Sequence, residues 1–405
     1  MAVMTGVAEL PAADATSMAR VRAIDAARGL AMVFVCLSHF GLEYFRRLDE
    51  PSIAKTLYIV GMIGSPTFML ISGVMLGLLY ETRRGRFDQH RLLLADRALF
   101  MLTVGHILIM VANAPRAESL AEAVQRGFIT DALAIALLLG PTLVAHVSRR
   151  ARVLFALVLF AGAWILAIQW TPATAFDDVL RYLLVGSYPK DLPYNFPLLP
   201  WLAVYVAASV LGQWIGEQLA RGRRLRVERS LLAWGAAAVT FVVLYKLSHW
   251  TLALPSSPLL TVLASPWEKL PPSPAYLLFY GGLGLMLVAG ALIVERRKLM
   301  EPVFEWATLL GRASLLVFIL QFYVYYGLVL SLNLPYTPFW PLVFVASLVG
   351  ITAIAKVWDD GANNRYLTVG LRHFTTTRVG RLMLGSVGAW WRPRFQTPSG
   401  RLEER

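Results

Sequence analysis

Residues 22–45 read RAIDAARGLAMVFVCLSHFGLEYF, and this stretch decides the fold class. Its apolar part approaches the roughly 20 residues that a helix needs to cross a bilayer, and similar runs recur along the chain. The chain is 57% hydrophobic and 16% charged, with a mean hydropathy of +0.58. Soluble domains carry about a quarter charged residues. Because the runs are continuous and do not alternate, the sequence predicts an all-α integral membrane protein and not a barrel.

The connections between apolar runs test how many helices cross the membrane. Lysine and arginine are enriched in cytoplasmic connections. With an inside N-terminus, 29 of the 38 Lys and Arg residues fall inside and the bias never inverts, which predicts ten spans with both ends in the cytoplasm. The predicted spans are 26–45, 57–80, 98–114, 128–147, 152–170, 197–216, 231–249, 275–294, 309–331 and 338–357.

Three regions follow from this count. Residues 1–25 form a cytoplasmic segment without a cleavable signal pattern, residues 26–357 form the transmembrane domain, and residues 358–405 form a basic tail on the membrane surface. The net charge of +13 does not indicate nucleic acid as a partner, because it is divided among many connections and favours contact with lipid. Cys36 is the only cysteine, and no metal-ligand cluster is apparent, so we expect no metal.

Two outer connections are long, at residues 171–196 and 250–274. They are either ordinary linkers or a lid over a site that opens to the outside. Under the second interpretation, Asp177 and Asp178 are candidates for lining an acceptor site.

The first span holds the ionisable residues that point most directly to chemistry. At 100° per residue, the eleven positions from Arg28 to His39 place both on one face, roughly 16 Å apart along the axis. Glu43 follows one turn later. An Arg at the inner mouth suits the phosphates of an anionic donor, His39 suits a general base, and Glu43 suits the orientation of its ring. Alternatively, Arg28 only anchors the helix end and His39 bonds a neighbouring helix.

Other polar residues allow two interpretations each. His106 either lines the same cavity or bonds a neighbour's backbone. Arg312 is either a positive-inside anchor or a second phosphate contact. Tyr323 belongs either to an interfacial aromatic belt or to an acceptor site.

Several segments together resemble the membrane-bound acyltransferases. Arg22-x-x-Asp25-x-x-Arg28-Gly29, followed by His39, is similar to the start of the acyltransferase-3 proteins and of their heparan-α-glucosaminide N-acetyltransferase-like and glucan succinyltransferase relatives. Three later segments resemble further spans of these families, and they are SPTFMLISGVMLGLLY (65–80), NFPLLPWLAVYVAASVLG (195–212) and LGRASLLVFILQF (310–322).

The resemblance implies a cytoplasmic acyl-CoA donor, acetyl-CoA or succinyl-CoA, and an extracytoplasmic glycan hydroxyl or amine as acceptor. By it, Arg28 faces coenzyme A with Arg22 and Arg312, and His39 is catalytic. Many members carry a His where this chain has Gln321, which we expect to line the substrate site. The heparan-type branch carries its reactive His in the first outer loop, where residues 46–56 contain none, which favours direct transfer.

The sequence therefore predicts a multi-pass acyltransferase of a bacterial inner membrane, for which a homodimer is compatible. A transporter or permease of a small solute or lipid-linked sugar is the alternative, because ten spans with internal polar residues also suit a translocation path. A membrane scaffold or sensor without chemistry leaves the aligned Arg28 and His39 unexplained.

Overall fold

The computed structural model describes residues 21–45, 51–114, 126–186, 196–251, 257–332 and 338–370, and these are mostly helical, without a strand. Ten helical stretches are long and apolar enough to cross a membrane, and each overlaps one predicted span, which confirms the predicted fold class. In chain order the helices are α1 Arg22–Tyr44, α2 Pro51–Gly61, α3 Gly64–Thr82, α4 Phe87–Phe100, α5 His106–Asn113, α6 Ile129–His146, α7 Arg149–Gln169, α8 Ala175–Leu184, α9 Leu198–Ala220, α10 Arg224–Thr251, α11 Pro258–Leu263, α12 Pro274–Arg297, α13 Glu301–Arg312, α14 Ser314–Phe322, α15 Leu330–Leu332 and α16 Trp340–Asp360.

Two membrane helices contain π-helical turns, at Met101–Gly105 and at Tyr323–Val329. The first joins α4 to α5, and the second joins α14 to α15, so each pair forms one span. Helices α2 and α3 likewise form a single span, Ser52–Thr82. The predicted N-terminal segment up to residue 20 and the basic tail after residue 370 lie outside the described residues.

The ninth span begins at Ser314 and not at the predicted residue 309, because a separate amphipathic helix precedes it. Helix α13 buries Phe304, Ala307 and Leu310. Its glutamates, Glu301 and Glu305, pair with Arg22 on its exposed face. Its mixed composition hides it from a search for apolar runs. Consequently Arg312 ends α13 and does not lie inside the ninth span.

Helices α1 and α13 cross closely at a pair of glycines. A Cβ atom on Gly29 would collide with the Ala307 carbonyl, and one on Gly311 would collide with the Asp25 carbonyl. Small residues allow membrane helices to approach to backbone contact, so this crossing fixes α13 beside the first half of α1.

Buried and half-buried ion pairs concentrate at the end of the bundle where α1 begins, which we call the Arg28 end. Arg149 bonds Glu217 at 2.6 Å, and Arg312 bonds Asp359 at 2.6 Å. The Arg312–Asp359 pair shows that α16 ends at the same end of the bundle from which α1 starts, as an even number of crossings requires. The opposite end, called the His39 end, carries α8, α11 and the other described parts of the two long connections. There the Trp164 indole donates to the Pro272 carbonyl at 3.0 Å, which joins α7 to the second long connection.

Candidate functional site

Helix α1 carries Arg28 and His39 on one face, and each side chain lines a different cavity. Arg28 is largely buried, and its guanidinium donates to the Gly311 carbonyl through Nε at 2.8 Å and also through Nη2. It also pairs with Asp25 at 3.2 Å and contacts the Met75 sulfur at 3.1 Å. Arg28 therefore holds the end of α13 and at the same time forms part of a cavity wall.

The first cavity, called the Arg28 cavity, measures about 2370 Å³ including its mouth at the Arg28 end. Its described lining contains four guanidinium groups, those of Arg28, Arg97, Arg312 and Arg365. The carboxylates in that lining are Asp25, which pairs with Arg28, and Asp96, which accepts the Val369 amide at 2.9 Å. The described wall thus carries an excess of positive charge, which favours a large anionic ligand.

Arg312 belongs to this wall, although it also has a structural partner. Its guanidinium donates to Asp359 through Nε at 3.0 Å and Nη2 at 2.6 Å. The hydrogen bond to Asp359 and the nearby carboxylates raise the pKa of Arg312. It therefore stays charged, and the two predicted interpretations of Arg312, as anchor and as cavity residue, are not exclusive.

His39 is held by a side chain from the ninth span. Its Nδ1 lies 2.5 Å from Oε1 of Gln321, which is fully buried on α14. The rings of Phe322 and Tyr326 lie with centroids 5.2 and 5.3 Å from the imidazole. The hydrogen bond to Gln321 and the two aromatic contacts therefore help to fix the orientation of the ring.

The second cavity, called the His39 cavity, measures about 860 Å³ including its mouth. Its lining includes Phe196 from the first long connection, and Lys269 and Leu270 from the second. Both long connections therefore contribute walls to the cavity that holds His39. Arg126, just before α6, adds another cation that is only 8% exposed.

The two cavities share a wall. Phe68 on α3 and Phe318 on α14 line both of them, and their rings stack with centroids 6.4 Å apart. A ligand that reaches from Arg28 toward His39 would have to pass these two rings.

Five of the predicted site residues lie in neither cavity lining, and they are Glu43, Arg22, His106, Gln321 and Tyr323. Glu43 is buried on α1, one turn beyond His39, and Arg22 pairs with Glu301 at 3.4 Å and with Glu305. His106 lies 2.9 Å from Asp131, and the Tyr323 hydroxyl donates to the Leu108 carbonyl at 2.9 Å.

The two predicted acceptor aspartates lie on α8 and have local partners. The Asp177 carboxylate accepts the Thr174 amide at 3.2 Å and caps the helix, while Asp178 pairs with Arg181 at 3.4 Å. The structure does not bring them to the lining of either cavity.

Sequence reasoning missed Lys269, Arg126 and Arg97. Lys269 lies over the Phe196 ring at 5.1 Å, and burial lowers its pKa from 10.5 to about 8. The sequence could have indicated Lys269, because it is the only Lys or Arg in an apolar, proline-rich connection. Arg97 follows a run of other arginines, and Arg126 lies in a polar connection between two apolar runs, so neither stands out in the sequence as a cavity residue.

Fold and site define a multi-pass membrane protein with two internal cavities that meet at an aromatic pair. A family model described as heparan-alpha-glucosaminide N-acetyltransferase, catalytic, matches residues 20–254, which is more than half of the chain. The chain belongs to this family and is a transmembrane, N-acetyltransferase-like enzyme. The match includes Arg28 and His39 and ends before Lys269 and Gln321. Searches of curated proteins and of solved structures gave no significant match.

Proposed function

We propose that the protein transfers an acyl group, acetyl or succinyl, from acyl-CoA at the Arg28 end to a glycan hydroxyl or amine at the His39 end. One observation carries the proposal. Arg28 and His39, on the same face of one helix, line two cavities that share the Phe68–Phe318 wall. This arrangement offers separate positions for a donor and an acceptor, with one place where their reacting atoms meet.

The charge of the Arg28 cavity supports a coenzyme A donor. Guanidinium groups suit the planar oxygens of phosphates, and four of them line this cavity. The charge bias of the connections supports a cytoplasmic Arg28 end, which is the side where acyl-CoA is present. We therefore assign the phosphates of the donor to this end and its thioester to the region near the shared wall.

The chemistry at the other side of the wall needs a base. His39 takes the proton from the acceptor hydroxyl or amine as the acceptor oxygen or nitrogen bonds to the thioester carbon. The carbon–sulfur bond then breaks, and the proton passes from the imidazolium to the leaving thiolate. The products are the acylated acceptor and free coenzyme A, and direct transfer needs no acyl-enzyme.

Coenzyme A release by the full chain in nanodiscs tests this proposal. The donors are acetyl-CoA and succinyl-CoA, with an envelope glycan extract as the acceptor and buffer alone as the blank. We expect acceptor-dependent thiol release from the native chain and a loss of about 10²- to 10⁴-fold in His39→Ala, the usual contribution of a general base. The matched control is His249→Ala, because His249 lies in neither lining.

The donor arm of the experiment uses Arg28→Gln and calorimetry with each acyl-CoA. We expect weaker donor binding, and a thermal unfolding scan separates this loss from a loosened contact with Gly311. If no acyl-CoA binds and no extract yields thiol, the acyltransferase proposal fails, and solute uptake into proteoliposomes then tests the transporter alternative.

A further inference from the structure

His39 has a neutral hydrogen-bond partner on a distant helix. The sequence predicts that Glu43, four residues along the same helix, orients the ring, and the structure adds Gln321, whose Oε1 lies 2.5 Å from His39 Nδ1. Gln321 is 0% exposed and approaches from α14, in a part of the chain that the family match does not cover. The contact is therefore an observation of the structure and is not implied by the family match.

An amide and a carboxylate act differently on an imidazole. A carboxylate both orients the ring and stabilises its protonated form. An amide oxygen orients the ring by accepting from N–H and adds no charge. With Gln321 Oε1 against Nδ1, the proton of neutral His39 sits on Nδ1, and Nε2 carries the lone pair.

We propose that Gln321 is a positioning residue that holds His39 as the Nδ1–H tautomer, so that Nε2 is the atom that takes the acceptor proton. This inference rests on the proposed transfer reaction and adds to it the identity of the basic atom. Phe322 and Tyr326 hold the ring plane, while Gln321 fixes which nitrogen is basic.

The opposite amide orientation makes a different prediction. If the Gln321 amide nitrogen donated to Nδ1, the proton would sit on Nε2, and His39 would present a donor and not a base. A glutamate at position 321 can only accept from Nδ1–H when ionised, so it preserves the proposed arrangement and prevents the opposite one.

Other charged or titratable groups also surround His39 and enter any pH argument. Among the described residues these are Glu43 on α1, Tyr58 on α2, Arg126 before α6, Lys269 in the second long connection and Tyr326 beyond α14. They are the same in each variant at position 321, so differences between pH profiles report the change at that position.

The test measures acceptor-dependent coenzyme A release from pH 5.5 to 9 for Gln321→Leu and Gln321→Glu, with kcat and the KM of the donor determined separately. We expect Gln321→Leu to lower kcat by about tenfold or more, at unchanged donor KM. This loss should not exceed the loss expected when the general base itself is removed. Gln321→Glu should recover most of the kcat at high pH, with the acidic limb of its profile moved up by about one unit or more. The matched control is Gln218→Leu, a buried glutamine outside both linings.

The outcomes separate this inference from the reaction on which it rests. Full activity in His39→Ala would overturn the reaction itself. Activity lost in His39→Ala but native kcat and pH profile in Gln321→Leu would overturn only the positioning role. Gln321→Glu as inactive as Gln321→Leu at every pH, with native thermal unfolding in both, would contradict the assigned tautomer.

Discussion

Lys269 shows how a single side chain links the fold to chemistry. It comes from a connection outside the membrane spans, yet it lines the His39 cavity beside an aromatic ring. Burial disfavours its charged form, and so its pKa falls to about 8. Below that pH the cavity holds a second cation in addition to Arg126 and suits a ligand with an anionic group, whereas above it the attraction weakens.

The lowered pKa of Lys269 predicts that a small amine-reactive reagent acylates it selectively. Because a lowered pKa means that the proton is lost at lower pH, Lys269 is about half neutral near pH 8, where an ordinary lysine is about 1% neutral or less. Competitive labelling with trace acetic anhydride, followed by peptide mass spectrometry, should give a labelling midpoint near pH 8 for Lys269. A midpoint near pH 10 would show that the side chain is solvated, and Lys269→Arg removes the signal and serves as the blank.

At the scale of helices, local composition explains what could be predicted. The membrane spans follow from runs of apolar residues, and the Arg28–His39 alignment follows from the period of one helix. Helix α13 was missed because its apolar residues alternate with Glu301, Glu305 and Arg312. The partner of His39 was missed because Gln321 is distant in the chain, and no local period reports which helices pack together. Asp177 caps α8, and its sequence position does not reveal that its side chain lines neither cavity.

The crossing of α1 and α13 gives a prediction about the stability of these elements. Gly311→Ala should destabilise the protein by about 1–3 kcal/mol, because the new Cβ meets the Asp25 carbonyl and pushes α13 away from α1. Thermal unfolding in detergent, followed by tryptophan fluorescence, measures the change. Gly290→Ala on α12 is the matched control, since no atom lies within 4 Å of its added Cβ, and there the better helix propensity of Ala should be neutral or stabilising. Equal unfolding temperatures for both variants would contradict the close crossing.

Across the whole molecule, the bundle separates two cavities, each with a few charged side chains in a mostly apolar lining, by a pair of aromatic rings. The Arg28 cavity carries guanidinium groups, the His39 cavity carries His39, Arg126 and Lys269, and Phe68 and Phe318 lie between them. Such a division suits a reaction whose substrates meet without exchange of water between the two sides. An enzyme needs only a narrow arm to pass the rings, whereas a transporter needs the rings to part for a whole solute, so variants of the rings can separate the two functions.

The Phe68–Phe318 pair therefore provides the last prediction. Phe68→Trp should narrow the passage between the two rings, so that the acyl arm of the donor no longer reaches His39 correctly. We expect acceptor-dependent thiol release to fall by up to about 100-fold while donor binding in calorimetry stays native. Phe318→Leu should loosen the wall, so that water reaches the thioester and acceptor-independent thiol release rises relative to transfer. Phe40→Leu, a buried aromatic residue outside both linings, controls for lost core packing. If both wall variants keep the native ratio of hydrolysis to transfer, the acyl group does not pass between these rings, and the two cavities serve separate purposes.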